Sequence, residues 1–401
     1  MGGEMRFTYH YERLEFLGDS ILEMLASIII FYKYSQTFQE GVLTKYRVTI
    51  VNNSTSLICT AQSLMLSDFI LAQSSPIAAK TQADVVEALF GAIYLQRNML
   101  NDCWQLFEDI IIANCKDADI KVEKIVINST RQLFNFRLPY LDTGKGLSSL
   151  HTNIINELKF QTEILINDSF IFLLALNPST DFFSEKLGGN NQNLEWLGDS
   201  ILKFIVSLYL FKNHKTFSEG LLSQIRSSVV SNDFLFSISK KLKLDILSQK
   251  LNVTNLSHKR IADLLEALLA AIFLDTGLDQ CIVFTKKHIL SSVDNIIKKG
   301  LYMDPRDILQ QIINEKNLGK PRKGGNRAFV QYRVTKDNNS IYHSSVLYNN
   351  RLIGKASASA KKDAKKEAAM ESLHFFKDRS ITLQNMKKYA PDSVLIREIY
   401  S

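Results

Sequence analysis

Disulfide chemistry, membrane spanning and serine-type catalysis all lack the residues they need in this sequence. Four cysteines, Cys59, Cys103, Cys115 and Cys281, are scattered with no Cys-x-x-Cys spacing. That usage argues against a disulfide framework or a structural zinc site and fits a reducing intracellular compartment, cytoplasmic or nuclear. The longest apolar stretches, Ile21 to Tyr32 and Ile201 to Phe211, reach about half the ~20 residues needed to cross a bilayer. They read as buried helices, and no membrane partner is expected. The first ten residues carry no basic segment leading into an apolar one, so export is not expected either. No Gly-x-Ser-x-Gly elbow, partnered cysteine or Gly-x-x-x-x-Gly-Lys loop occurs, which removes nucleophile-based hydrolases and nucleotide-driven helicases from consideration. Prolines number only six, which leaves room for long helices.

What is present is ordinary globular material with its charge unevenly placed. Hydrophobic residues make up 46% and charged residues 22% of 401 positions, enough for two or three separate cores. The net charge is +7, and residues 303–376 alone hold 14 Lys and Arg against 7 Asp and Glu. The rest of the chain is therefore neutral, and the whole surplus lies in one segment near the C-terminus. A surplus so localised is the footprint of a module that binds a polyanion.

An internal repeat organises the remainder. Leu14 to Leu22 reads LEFLGDSIL and Leu194 to Leu202 reads LEWLGDSIL. Glu40-Gly41 with Leu43 and Arg47 returns as Glu219-Gly220 with Leu222 and Arg226, and Asp84-Val-Val-Glu87 returns as Asp263-Leu-Leu-Glu266. The offset is 180 residues for the first block and 179 for the other two. Apolar residues at three- and four-residue spacing predict helices through Leu14 to Phe31, Val85 to Leu95, Leu194 to Leu210 and Ile261 to Phe273. From Asp304 the pattern changes to a helix, three short alternating strands and a second helix, with Asn338-Asn339 and Asn349-Asn350 as turns. The expected organisation is a first repeat domain over 1–115, N-terminally short, a connector over 116–148 and a second repeat domain over 149–300. An α-β-β-β-α domain over 303–376 and a tail over 377–401 complete it.

Glu15 and Asp19 are four apart on one predicted helix, and Asp84 and Glu87 three apart on another, so each pair shares a helical face. Apolar neighbours surround both pairs, and few basic residues adjoin them in sequence. Burying ionised carboxylates costs several kcal/mol each unless a cation or hydrogen bonds compensate. A hard divalent cation, Mg²⁺ first and Mn²⁺ second, fits such an oxygen-rich set, and the set recurs as Glu195, Asp199, Asp263 and Glu266. Carboxylate-held Mg²⁺ suits phosphodiester hydrolysis. Gly18 and Gly198 sit inside predicted helices, where glycine costs about 1 kcal/mol against alanine, and predict close approach of another backbone or of substrate.

The blocks ERLEFLGDS at Glu12 to Ser20 and Asp-x-x-Glu-Ala from Asp84 resemble the ribonuclease III family. Two such domains followed by a double-stranded-RNA-binding domain are similar to its Dicer-like branch. The resemblance implies a mainly α fold in which two all-helical domains form an intramolecular pseudo-dimer. It implies eight catalytic, metal-binding carboxylates, Glu15, Asp19, Asp84, Glu87, Glu195, Asp199, Asp263 and Glu266, with Glu12, Glu40 and Glu219 in support. Gln192 stands where the first copy has Glu12. Phe16 and Trp196 match positions that pack across the domain pairing. In the RNA-binding domain, Lys361, Lys362 and Lys365 match phosphate contacts, and Gln310 and Gln311 a minor-groove contact. The usual Gly-Pro-Asp-His loop is replaced by Lys336-Asp337-Asn338-Asn339. The implied activity is Mg²⁺-dependent endonucleolytic cleavage of double-stranded RNA, one strand per domain, leaving 3′ overhangs, as in small-RNA production. Accessory double-stranded-RNA-binding or small-RNA effector proteins would be partners. Processing of structured RNA precursors and a non-catalytic RNA scaffold are the alternatives.

Overall fold

The computed structural model describes residues 11–35, 37–71, 76–97, 100–114, 147–178, 190–299, 304–306, 308–310, 313 and 330–374. Most of the expected connector and the whole C-terminal tail lie outside them. The chain divides into two compact units, residues 1–291 and 292–401.

Within the first unit, the first copy contains α1 (Glu12–Tyr34), α2 (Glu40–Ile50), α3 (Ser56–Ser63), a short 3-10 turn, α4 (Ala79–Arg97) and α5 (Leu100–Leu106). The second copy contains α6 (Ser149–Thr162), α7 (Ser169–Ala175), α8 (Gln192–Asn213), α9 (Glu219–Val229), α10 (Asn232–Lys241), α11 (Leu244–Lys250), α12 (His258–Thr276) and α13 (Leu278–His288). In each copy the signature helix crosses the helix bearing the later acid pair: α1 packs on α4, and α8 on α12. These helices are buried nearly all round. On α12 every residue from Ala262 to Phe273 is inaccessible or close to it. A fully buried Leu, Ile or Phe contributes about 1.5–3 kcal/mol, so this helix is the axis of the second copy's core. The second copy is also the better capped. Ser218, Ser231 and Ser257 each accept a backbone N–H at the start of α9, α10 and α12, whereas Gln39, at the position of Ser218, caps α2 with no side-chain bond.

The expected close approach at Gly18 and Gly198 is made by backbone. A Cβ on Gly18 would lie 1.7 Å from the carbonyl oxygen of Glu87, and one on Gly198 1.9 Å from that of Glu266. Glycine is required there because two helix backbones touch, and each contact is made at an acidic residue of the opposing helix.

The two copies face one another through their signature helices, α1 against α8. Tyr94 of α4 meets Phe204 of α8 edge-on with ring centres 5.7 Å apart. Among the described residues, no helix is long and apolar enough to cross a membrane.

The second unit holds α14 (Val293–Lys299), strands β1 (Val330–Lys336), β2 (Tyr342–Tyr348) and β3 (Arg351–Ala358), and α15 (Lys361–His374). The strands form an antiparallel sheet in the order β1-β2-β3. Asn349 and Asn350 both have positive φ, 49° and 65°, the backbone a two-residue hairpin turn demands. Helix α15 packs its small face, Ala364, Ala368 and Ala369, with Leu373, against β2 and β3. Ile308, Leu309 and Ile313, from the helical stretch expected after Asp304, are buried as well.

Candidate active site

Each helix crossing gathers three acids. Oxygens of Glu15, Asp84 and Glu87 all lie within 4.8 Å of one another, and so do those of Glu195, Asp263 and Glu266. Asp84, Glu87, Asp263 and Glu266 are 4–7% exposed, so water does little to screen these charges. Burial, then the neighbouring acid Asp84, pushes the Glu15 carboxyl up to about 7. Burial followed by Asp19 pushes Glu87 to about 8. In the second cluster burial, then Glu195, carries Asp263 to about 6, and Glu266 is raised well above the carboxylate range by burial and then Asp199. Burial and neighbouring negative charge both favour the protonated form of a carboxyl unless positive charge compensates.

The fourth acid of each expected set stands beside its cluster with its charge engaged elsewhere. Asp19 faces Arg226 at 3.5 Å, and Asp199 faces Lys203 at 2.8 Å. Asp19 is itself raised, burial outweighing Arg226.

Basic groups that the linear reading did not foresee reach both clusters. Lys80 donates to Asp84 at 2.7 Å from one helical turn earlier. Lys259, at the same repeat position, donates to Glu195 at 2.8 Å and to Asp263 at 3.0 Å. The expectation that few basic residues adjoin the acids is corrected accordingly. The spacing from Lys80 to Asp84 and from Lys259 to Asp263 is a repeated i, i+4 pair that the sequence displays.

Two of the three acids expected in support lie near the opposite copy's cluster. Glu219, in the second copy, is among the charges that raise Glu15 of the first. Glu40, in the first copy, is raised by burial and then by Glu195 of the second. Glu12 is exposed, and so is Gln192 at its counterpart position. Phe16 lies under the Arg226 guanidinium, 4.7 Å from ring centre, and Trp196 under Arg47 at 4.9 Å. Trp196 also donates through Nε1 to Thr44 at 3.0 Å. Both aromatics thus touch the opposite copy.

The donor set fits a divalent cation. All the converging atoms are hard carboxylate oxygens, and Asp84 Oδ1 is buried with no hydrogen-bond partner among the described residues. A buried, unpartnered carboxylate oxygen is costly and is satisfied by metal coordination.

In the second unit Lys361 and Lys362 are exposed at the start of α15, while Lys365 is half-buried with its ammonium 5.8 Å from the Tyr332 ring centre. Gln310 is exposed on its helical stretch, and Gln311 lies outside the described residues. At the departing loop, Asp337 accepts the backbone N–H groups of Asn339 and Ile341, both at 2.9 Å.

Comparison with known proteins agrees with this layout. The Ribonuclease III domain model matches residues 12–98 and again 192–277, and the Double-stranded RNA binding motif matches 305–375. The human protein named Ribonuclease 3 is 29% identical over 316 residues, which cover 75% of this chain and 22% of that protein. The Ribonuclease 3 of Pelotomaculum thermopropionicum is 30% identical over 227 residues, covering 54% of this chain and 90% of the bacterial one. The crystal structure of Dicer from Giardia intestinalis shares the fold, with a TM-score of 0.53 at 17% identity over 70% of this chain and 55% of that one. The chain spans between 22% and 36% of the length of its animal relatives. With one family domain met twice and a bacterial relative matched over nine-tenths of its length, the chain belongs to the ribonuclease III family.

Proposed function

We propose that this chain is a divalent-cation-dependent endonuclease of double-stranded RNA, with one cleavage centre per repeat and each centre cutting one strand. The observation that carries the reading is the pair of three-carboxylate clusters, two acids of each buried, at equivalent places in one paired unit. Glu15, Asp84 and Glu87 would hold Mg²⁺ or Mn²⁺ with Asp19 alongside, and Glu195, Asp263 and Glu266 with Asp199 in the second copy. When bound, the cation supplies a water of lowered pKa and stabilises charge on the scissile phosphodiester.

The protein's own contribution is position and charge balance. Contact between the α1 and α4 backbones fixes Glu87 relative to Glu15. Lys80 and Lys259 hold Asp84 and Asp263 in one rotamer and offset the acids' mutual repulsion. Lys361 and Lys362 would meet phosphates, reading helical shape more than base sequence. Two opposed centres acting on a duplex would leave short products with 3′ overhangs, the Dicer-like form of the activity.

The test is a duplex labelled on either strand, incubated with Mg²⁺ or with chelator and resolved on a denaturing gel. Cation-dependent products on both strands are expected. A folded protein that binds the duplex and cuts neither strand in Mg²⁺ or Mn²⁺ would leave an RNA scaffold as the function.

A further inference from the structure

Glu23 and Lys203 occupy one and the same repeat position, 180 residues apart, and carry opposite charge. Their side chains meet, with Lys203 Nζ donating to Glu23 Oε1 at 3.2 Å. Equivalent positions of two paired copies touch only where the pseudo-two-fold axis passes, so this ion pair lies on the axis. The flanking contacts obey the same symmetry. Arg13 donates to the carbonyls of Phe211 and His214, both at 3.1 Å, and to that of Phe217, at the end of α8. Asn193, its counterpart, donates to the carbonyls of Ser35 and Phe38 beyond α1, at 2.8 and 3.1 Å. Arg47 over Trp196 is matched by Arg226 over Phe16.

Arg13 and Asn193 differ in charge, but both bond carbonyl oxygens of the opposite copy, and the two further charged pairs of positions near the axis do not distinguish the copies. Asp19 and Asp199 are the same residue at the same position, as are Arg47 and Arg226. Any pairing of two copies therefore brings together the same aspartates and arginines. Only position 23/203 changes sign. Joining two first copies from separate chains would set glutamate against glutamate on the axis, and joining two second copies would set lysine against lysine. The side chains are 19% and 27% exposed, sheltered enough that water only partly screens such a clash.

We propose that Glu23 and Lys203 determine partner choice, directing the first copy onto the second and rejecting association between like copies of two chains. The family's paired domains need no such mark when both are identical; a chain carrying two different copies gains from one. The inference concerns assembly and is independent of whether the clusters cleave RNA.

The test uses the full chain with E23K, K203E and the swap E23K/K203E. In the swap each new side chain enters the setting its counterpart occupies now: the lysine beside Asp19, the glutamate beside Arg226. Each single substitution is expected to lower Tm by about 2–5 °C, and the swap to return it to within about 1 °C of the parent. A swap that loses the sum of the two single losses overturns the proposal. Partner choice is read separately by unfolding E23K and K203E chains together and refolding them at about 1 mM, a concentration comparable with that of linked domains for one another. A heterodimer of twice the chain mass, formed from the mixture and from neither variant alone, is expected by light scattering, because exchange restores opposite charges at both axes. This arm also decides the matter if a single variant does not fold by itself. A mixture that yields only the species seen for each variant alone overturns the proposal.

Discussion

Lys80 reaches one carboxylate of the first cluster, Asp84, whereas Lys259 at the same repeat position holds two carboxylates of the second, Glu195 and Asp263. Both clusters are assembled from the same acid types on the same helix crossing. The difference lies in how many acids one ammonium serves. Glu15 is left among acids and rises to about 7, while its counterpart Glu195 has an ion-pair partner at 2.8 Å. Lys259 in turn is raised: burial lowers it, but its hydrogen bonds to Glu195 and Asp263 outweigh that. If the clusters hold a cation as proposed, Glu15 would be the acid left to it in the first, whereas in the second Lys259 already pairs with both Glu195 and Asp263. Identical motifs give the same acids at the same crossing, and the surrounding rotamers decide which of those acids a lysine neutralises.

Removing one acid from one cluster separates the two centres most sharply. Glu87→Gln is expected to reduce cleavage of one strand by about 100-fold or more, and Glu266→Gln that of the other, a magnitude typical of losing one preorganised electrostatic group. Strand-specific labelling reads this directly, and loss of both cuts from either substitution in a folded protein would make the clusters one functional unit. Next in size is Gly18→Ala, whose methyl must displace the Glu87 carbonyl. It is expected to cost about 3 kcal/mol in chemical denaturation. Gly41→Ala, with nothing within 4 Å of the new methyl, should be neutral or gain about 0.5 kcal/mol.

A third prediction concerns pH. Glu15, Glu87 and Asp263 have raised carboxyls, to about 7, 8 and 6. Between the ordinary carboxylate range and about pH 8 the folded protein therefore binds more protons than the unfolded chain, and stability falls as pH rises through that window. With chelator, Tm should decline from about pH 5 to pH 8. Mg²⁺ should raise Tm, and raise it more at the upper end. A Tm that climbs with pH in chelator would mean that the clusters are ionised without a cation. The smallest effect expected is a difference of differences: Lys259→Met should steepen that decline more than Lys80→Met, because it strands two acids where the other strands one.

Much of this arrangement is legible in the sequence because it depends on local periodicity. Alternation gives three strands after Asp304, and β1, β2 and β3 follow in that order with Asn349-Asn350 as the turn between the last two. Three- and four-residue spacing finds α1, α4, α8 and α12, and the acid pairs are aimed by the same periodicity. What is not legible is which neighbours arrive from the other copy. That Arg226 takes Asp19, or that Glu40 faces Glu195, follows from packing α1 against α8, and nothing within one helical turn of Asp19 announces it. Lys80 and Lys259 stand one helical turn before Asp84 and Asp263, a spacing that the expectation of few adjoining basic residues passed over, and the structure shows which acids they reach.

Arg13 and Asn193 close helix ends that lie 155 to 204 residues away in sequence. During synthesis α1 is complete while the chain that will cap it has yet to be made. The carbonyls of Ser35 and Phe38 therefore stay with water until Asn193 has been made and α8 has docked. Non-local contacts of this kind are slow to form, so the first copy, made first, is completed only when the second docks on it. In the interval the face of its signature helix that packs on α8 is uncovered, and exposed apolar surface of that kind favours aggregation.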